Sequence, residues 1–127
     1  MKLAVIAHDG KKAEMVSFLM KNLNVLHSAN IQIIATGTTG QHAQNAGLSV
    51  EKVLSGPKGG DAQIAAQIVE GKIRGVFFFR DPLDKHPHEP DILMLMRICD
   101  VHNIPIATNP ATAELVLKGL ADETKSE

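Results

Sequence analysis

Five short apolar runs punctuate the chain: "KLAVIA" from Lys2, "IQIIA" from Ile31, "VEKVL" from Val50, "GVFFF" from Gly75 and "IPIAT" from Ile104. They are rich in Val, Ile and Phe, and several show little alternation between apolar and polar positions. Strands covered on both faces have that pattern, whereas a strand with one solvated face alternates. Between the runs the period lengthens. Met15, Phe18, Leu19 and Leu23 fall on one side of a helix predicted over Lys11 to Leu23. A short helix is predicted over Thr39 to Ala46, ended by Gly47. Another over Asp61 to Glu70 groups Ile64, Ala65 and Ile68, with Gly71 at its end. Pro90 to His102 is apolar over a wide arc, and "TNPATAELVLKGL" supplies a last helix. From about 120 onward a polar tail, ending "ADETKSE", is expected to fray.

Strand and helix alternate throughout, which predicts an α/β fold. The expected architecture is a three-layer sandwich around a five-stranded, mainly parallel sheet of Rossmann or flavodoxin type. A chain of 127 residues fits one domain with one buried core. Open sheets of this kind bind ligands beyond the carboxyl ends of their strands. The residues that follow each run are therefore the informative ones. They are His8, Asp9, Gly10 and Lys12 after the first, "TGTTG" after the second and "SGPKGGD" after the third. "RDPLDKHPHEPD" follows the fourth and "TNPAT" the fifth. Nearly all the reactive side chains converge on one edge of the sheet, which predicts an active site there.

Composition narrows the classes. The formal net charge is −1, so no strongly basic face invites nucleic acid. There is no Trp or Tyr and only four Phe, which leaves no stacking platform for single strands. Cys99 is the sole cysteine; one thiol forms no internal disulfide, and its apolar helical setting predicts a buried, reduced group. The apolar run Leu3 to Ala7 is too short for a signal-peptide core or a membrane span. A cytoplasmic protein without membrane or nucleic-acid partners is expected.

Each candidate site residue has a plain structural alternative. In "ATGTTG" the glycines let backbone approach a ligand, the Thr hydroxyls donate, and the first amides of a helix point the same way, so a phosphate fits. The alternative is a tight turn with Thr38 or Thr39 as helix cap. The motif is neither a Walker A loop nor a dinucleotide fingerprint. Lys12 adds a point charge to the same anion, or is a solvated surface lysine. "SGPKGGD" offers amides of Ser55 and Gly56, stiffened by Pro57 and reversed by Gly59 and Gly60. Asp61 ends that motif. It is either a helix cap or a general base beside a bound anion, whose charge raises a carboxyl pKa toward the useful range. His8 follows the first strand, where imidazole suits hydrogen bonding and proton transfer at a carbonyl. His86 and His88 sit in a proline-broken loop near Asp81, Asp84 and Asp91. The pair lacks a second cluster at zinc spacing, so no metal site is expected. Pro90 and Asp91 suit a helix start by themselves.

The series "IAHDGKK", "ATGTTG", "SGPKGGD", "FFFRDPLDKHPHEPD" and "NIPIATNPATAE" resembles the methylglyoxal synthase family, in order and spacing, from Lys2 to about Gly119. The resemblance implies a methylglyoxal synthase-like fold and a lyase that converts dihydroxyacetone phosphate to methylglyoxal and inorganic phosphate. It implies no metal or organic cofactor, a homohexamer, and phosphate as a product and, in some members, an allosteric effector. By the same resemblance Asp61 is the catalytic base and His8 contacts the substrate oxygens. Lys12, Thr36, Gly37, Thr38, Thr39, Ser55, Gly56 and His88 bind substrate or phosphate, while Asp9, Asp81 and Asp91 support the site. Arg97 is assigned to a neighbouring subunit or an anion. Arg80 departs from the family pattern, standing where a bulky apolar residue is usual. The rival is a non-catalytic, effector-binding regulatory module of the same fold, which has no use for His8 and Asp61 together.

Overall fold

The computed structural model describes residues 1–83 and 89–125, with the backbone alone for 89–91 and 125. Five parallel strands form one sheet: β1 (Lys2–Ala7), β2 (Gln32–Ala35), β3 (Val50–Lys52), β4 (Gly75–Phe79) and β5 (Ile106–Ala107). Their spatial order is β3-β2-β1-β4-β5. This is the order of a Rossmann sheet, not the 2-1-3-4-5 of flavodoxin. The chain builds outward from β1 to β3, then crosses back to place β4 on the other side of β1. The carboxyl ends of β1 and β4 therefore flank the point where the winding reverses, and a crevice opens there.

The alternation hidden in the apolar runs now has a meaning. Leu3, Val5 and Ala7 of β1 and Phe77 and Phe79 of β4 face one helical layer. It holds α1 (Lys12–Lys21), α2 (Leu23–Ser28), α3 (Gly37–Asn45) and α6 (Pro110–Lys125). Phe18 of α1 packs edge-on against Phe77 and Phe79, with ring centroids 5.6 Å apart in each case. Ala4, Ile6, Val76 and Phe78 face the opposite layer, where α4 (Gly60–Val69) contributes Ile64, Ala65 and Ile68. α5 (Glu89–His102) adds Ile92, Leu95 and Cys99 to the same side. Both faces of the sheet are dry, which is why the strands read as nearly continuous apolar runs.

Three local expectations change. The helix expected to run to Leu23 breaks at Asn22, whose side-chain Nδ2 donates to Phe18 O at 2.9 Å and to Glu114 Oε1 at 3.1 Å. An amide side chain competing for a helix carbonyl, tied to a distant helix, stops α1 and starts α2. β5 shortens to two residues, since Pro105 has no N–H to donate to a ladder. The tail expected to fray from about 120 instead continues α6 to Lys125. Leu120 is buried there, and Glu123 pairs with Arg74 at 2.5 Å. Gly47 and Gly71 close their helices in left-handed conformations, at φ 96° and 77°.

Cys99 is fully buried, and desolvation, with the charge of Asp100 second, pushes its thiol up to about 11. It should resist iodoacetamide at pH 8 in the folded protein and react stoichiometrically in denaturant. The unfolded thiol ionises from about pH 9, whereas the folded one keeps its proton to about 11. The folded state thus binds more protons across that window, so stability falls as pH rises through it. A plot of Tm against pH should be shallower there for Cys99→Ala; equal slopes would contradict this account.

Candidate active site

The loops that leave β1, β2 and β3 meet at the winding reversal. They enclose a cavity of about 270 Å³ lined by Ile6, Ala7, His8, Asp9, Lys12, Thr36, Thr38, Ser55, Gly56, Pro57, Asp61 and Phe78. Eight of these are candidate site residues by sequence and Pro57 stiffens their loop; Ile6, Ala7 and Phe78 form an apolar wall that the sequence does not announce. They stand near the carboxyl ends of β1 and β4, which only the strand pairing brings side by side.

His8 is held from several directions. Its backbone N–H donates to Phe79 O at 3.1 Å, extending the β1–β4 pairing by one residue. Its ring meets Phe78 edge-on at 5.4 Å. The Asp81 backbone N–H donates to its Nδ1 at 2.9 Å. Only 4% of the residue is exposed. An Nδ1 that accepts leaves the proton of a neutral ring on Nε2.

The wall opposite joins two turns. Thr36 occupies the cap position of α3 in extended conformation, and its side chain makes no capping bond to the helix. The Gly37 N–H donates to Leu54 O at 3.2 Å, which fastens the turn after β2 to the turn after β3. A Cβ on Gly37 would sit 3.1 Å from Ser55 N, so the two turns approach closely only with glycine at 37. That amide is committed to structure. Gly37 does not line the cavity, and neither does Thr39, which is fully buried on α3. Thr39 Oγ1 has no hydrogen-bond partner among the described residues.

Lys12 opens α1, and its Nζ lies 2.6 Å from Asp9 Oδ1. The lysine side chain is mostly buried, whereas the Asp9 side chain is 78% exposed. The carboxylate thus fixes a cation whose chain borders the cavity. Lys12 is no free surface lysine.

Asp61 is the second residue of α4, and the cap position belongs to Gly59 at φ 106°. The helix-cap alternative is thereby removed. Asp61 is 4% exposed, and a Cβ on Gly56 would lie 3.4 Å from both of its carboxylate oxygens. The Ser55–Gly56 turn therefore presents bare backbone to this carboxylate. Asp81 lies outside the cavity lining, and its backbone N–H reaches the site at His8 Nδ1. Arg80 is half-buried at the end of β4, with its N–H on Thr108 O, and Arg97 is exposed on α5. His86, His88, Asp84 and Lys85 lie outside the described residues, as does the Asp91 side chain. Among the described residues no group of three His, Cys, Asp or Glu is placed to hold a metal ion. No described helix is long and apolar enough to cross a membrane.

Residues 15–108 match the MGS-like domain family. A protein of Borrelia garinii subsp. bavariensis named methylglyoxal synthase is 53% identical over 119 residues, covering 93% of each chain. The chain belongs to the methylglyoxal synthase family. A methylglyoxal synthase of Thermus thermophilus is 54% identical over 116 residues, 91% of this chain and 90% of that one. The crystal structure of methylglyoxal synthase from Elizabethkingia anophelis superposes with a TM-score of 0.81 at 38% identity. It covers 91% of this chain and 76% of its own. Methylglyoxal synthase membership carries an enzymatic, lyase function, and the Rossmann-ordered α/β sheet is the scaffold on which it is built.

Proposed function

We propose that this chain converts dihydroxyacetone phosphate to methylglyoxal and inorganic phosphate, with Asp61 as the base. The observation that carries this reading is the shared cavity. One buried carboxylate, one imidazole and two small-residue turns line a space of about 270 Å³, with room for a three-carbon phosphate.

The phosphate lies against Thr36, Thr38 and the Ser55–Gly56 turn, with Lys12 supplying positive charge. Asp61 takes a proton from the hydroxymethyl carbon. The C–H electron pair forms the carbon–carbon double bond of an enediolate, and the carbonyl oxygen gains negative charge. His8 donates from Nε2 to that oxygen. The terminal hydroxyl then gives up its proton as its oxygen forms the aldehyde C=O, the double bond shifts toward the phosphate-bearing carbon and the C–O bond breaks. The former carbonyl oxygen takes up a proton, the phosphate leaves with the proton held by Asp61, and the freed enol tautomerises to methylglyoxal. Elimination requires that C–O bond to stand perpendicular to the enediolate plane. The cradle that fixes the phosphate thus decides between elimination and reprotonation, the isomerase outcome. The chain works as one domain without metal or organic cofactor, in a homo-oligomer in the cytoplasm. Phosphate is the product and a candidate effector, with His88 assigned to substrate contact and Asp91 to a supporting role.

Incubation with dihydroxyacetone phosphate, scoring methylglyoxal, phosphate and glyceraldehyde phosphate separately, tests the reading. Methylglyoxal and phosphate should appear in equal amounts. Glyceraldehyde phosphate as the main product, or phosphate alone, would replace it with an isomerase or a phosphatase.

A further inference from the structure

We propose that Asp81 and Gly10 together form a positioning device for His8, in which the Asp81 carboxylate serves as a turn clamp and not as a base. The inference rests on the proposed role of His8 in the reaction. Three contacts carry it. The Asp81 N–H donates to His8 Nδ1 at 2.9 Å, a contact between residues 73 apart in sequence. Asp81 Oδ1 accepts the Leu83 N–H at 3.1 Å, closing a side-chain turn on the residue whose own amide faces His8. A Cβ on Gly10 would lie 2.7 Å from Asp81 Oδ2, so the carboxylate rests where any side chain at position 10 would stand.

The parts constrain one another. Arg80 N–H on Thr108 O, at 3.3 Å, anchors the peptide just before Asp81 to the β5 side. The clamp to Leu83 holds the far side. Between these anchors the Asp81 N–H has one direction left, and it meets the imidazole. The ring proton is then confined to Nε2. An imidazole so held donates to a substrate oxygen and does not compete with Asp61 for the C–H proton. The clamp needs an acceptor oxygen at 81, not a negative charge, and it needs the absence of a Cβ at 10.

Asp81→Ala removes the acceptor, Asp81→Asn keeps it, and Gly10→Ala displaces it without deleting any polar group. Asp81→Ala and Gly10→Ala should lower kcat by about 10- to 100-fold with KM little changed, the scale of a misplaced catalytic group. Asp81→Asn should recover most of that loss. The second readout needs no turnover: the ¹⁵N signals of the His8 ring. The native protein and Asp81→Asn should show an unprotonated Nδ1 and a protonated Nε2, whereas the other two variants should lose this single tautomer. A protonated Nδ1 in the native protein overturns the device. So does an Asp81→Asn as slow as Asp81→Ala, since charge would then be what matters. A tautomer that shifts as described while kcat stays constant upholds the device and refutes the role given to His8. Should Gly10→Ala fail to fold in a thermal melt, the Asp81 pair decides alone.

Discussion

Asp61→Asn should lower kcat by about 10²- to 10⁴-fold, the range a positioned general base contributes. That is about 3 to 5 kcal/mol of transition-state stabilisation. Asparagine keeps the size and one acceptor oxygen of the native side chain but cannot take a proton. Phosphate binding should persist, because the turns at Thr36–Thr38 and Ser55–Gly56 remain. The fold should persist, since the amide keeps the side chain's shape and the cap of α4 is Gly59. A capping carboxylate would behave in the opposite way, with about 1 kcal/mol of stability lost and turnover retained. The geometry already argues against a cap, since Gly59 holds that position. Measuring kcat together with a denaturation midpoint separates the two. Turnover within a few-fold of native would remove Asp61 from the mechanism.

Gly60→Ala should have the largest effect on stability, about 3 kcal/mol, and should dismantle the site as well. A Cβ at 60 would lie 1.8 Å from Leu54 O, 2.8 Å from Leu54 C and 3.0 Å from Ser55 O. All three are main-chain atoms, so no side chain can swing aside. The stretch that would have to move is heavily used. Leu54 O accepts from Gly37, the Leu54 N–H donates to Gln63 Oε1 at 2.7 Å, and Ser55 O accepts from Gly60 itself. Ser55 and Gly56 would shift with it, and the phosphate cradle with them. Gly59→Ala is the informative comparison. Gly59 sits at φ 106° with open space around its Cα, so only backbone strain of about 1–2 kcal/mol applies. Urea melts should therefore order the proteins native, Gly59→Ala, Gly60→Ala. Equal midpoints for the two variants would show that the chain relaxes around residue 60 and that the close packing there is dispensable.

Much of this protein is written locally. The Val-, Ile- and Phe-rich runs and the helical spacing of Met15, Phe18 and Leu19 are relations between near neighbours, so they can be read along the chain. So is the arrival of reactive residues just after each strand, which puts His8, Lys12, Thr36, Ser55 and Asp61 at one edge of the sheet. What tertiary structure alone decided involves residues far apart. Strand order depends on which edges pair, and no local period encodes that β4 returns beside β1. Gly37 and Thr39 are alike in "TGTTG" as a string of small residues; only packing commits the Gly37 amide to Leu54 and buries the Thr39 side chain. Along the chain Asp61 reads as a helix cap as easily as a base; only the fold puts Gly59 in the cap position and starts α4 at Gly60. The His8 proton is placed by an amide 73 residues away. Backbone periodicity is set by neighbours within a turn or a pleat, whereas the chemistry of a site is set by whatever folding brings to its other side.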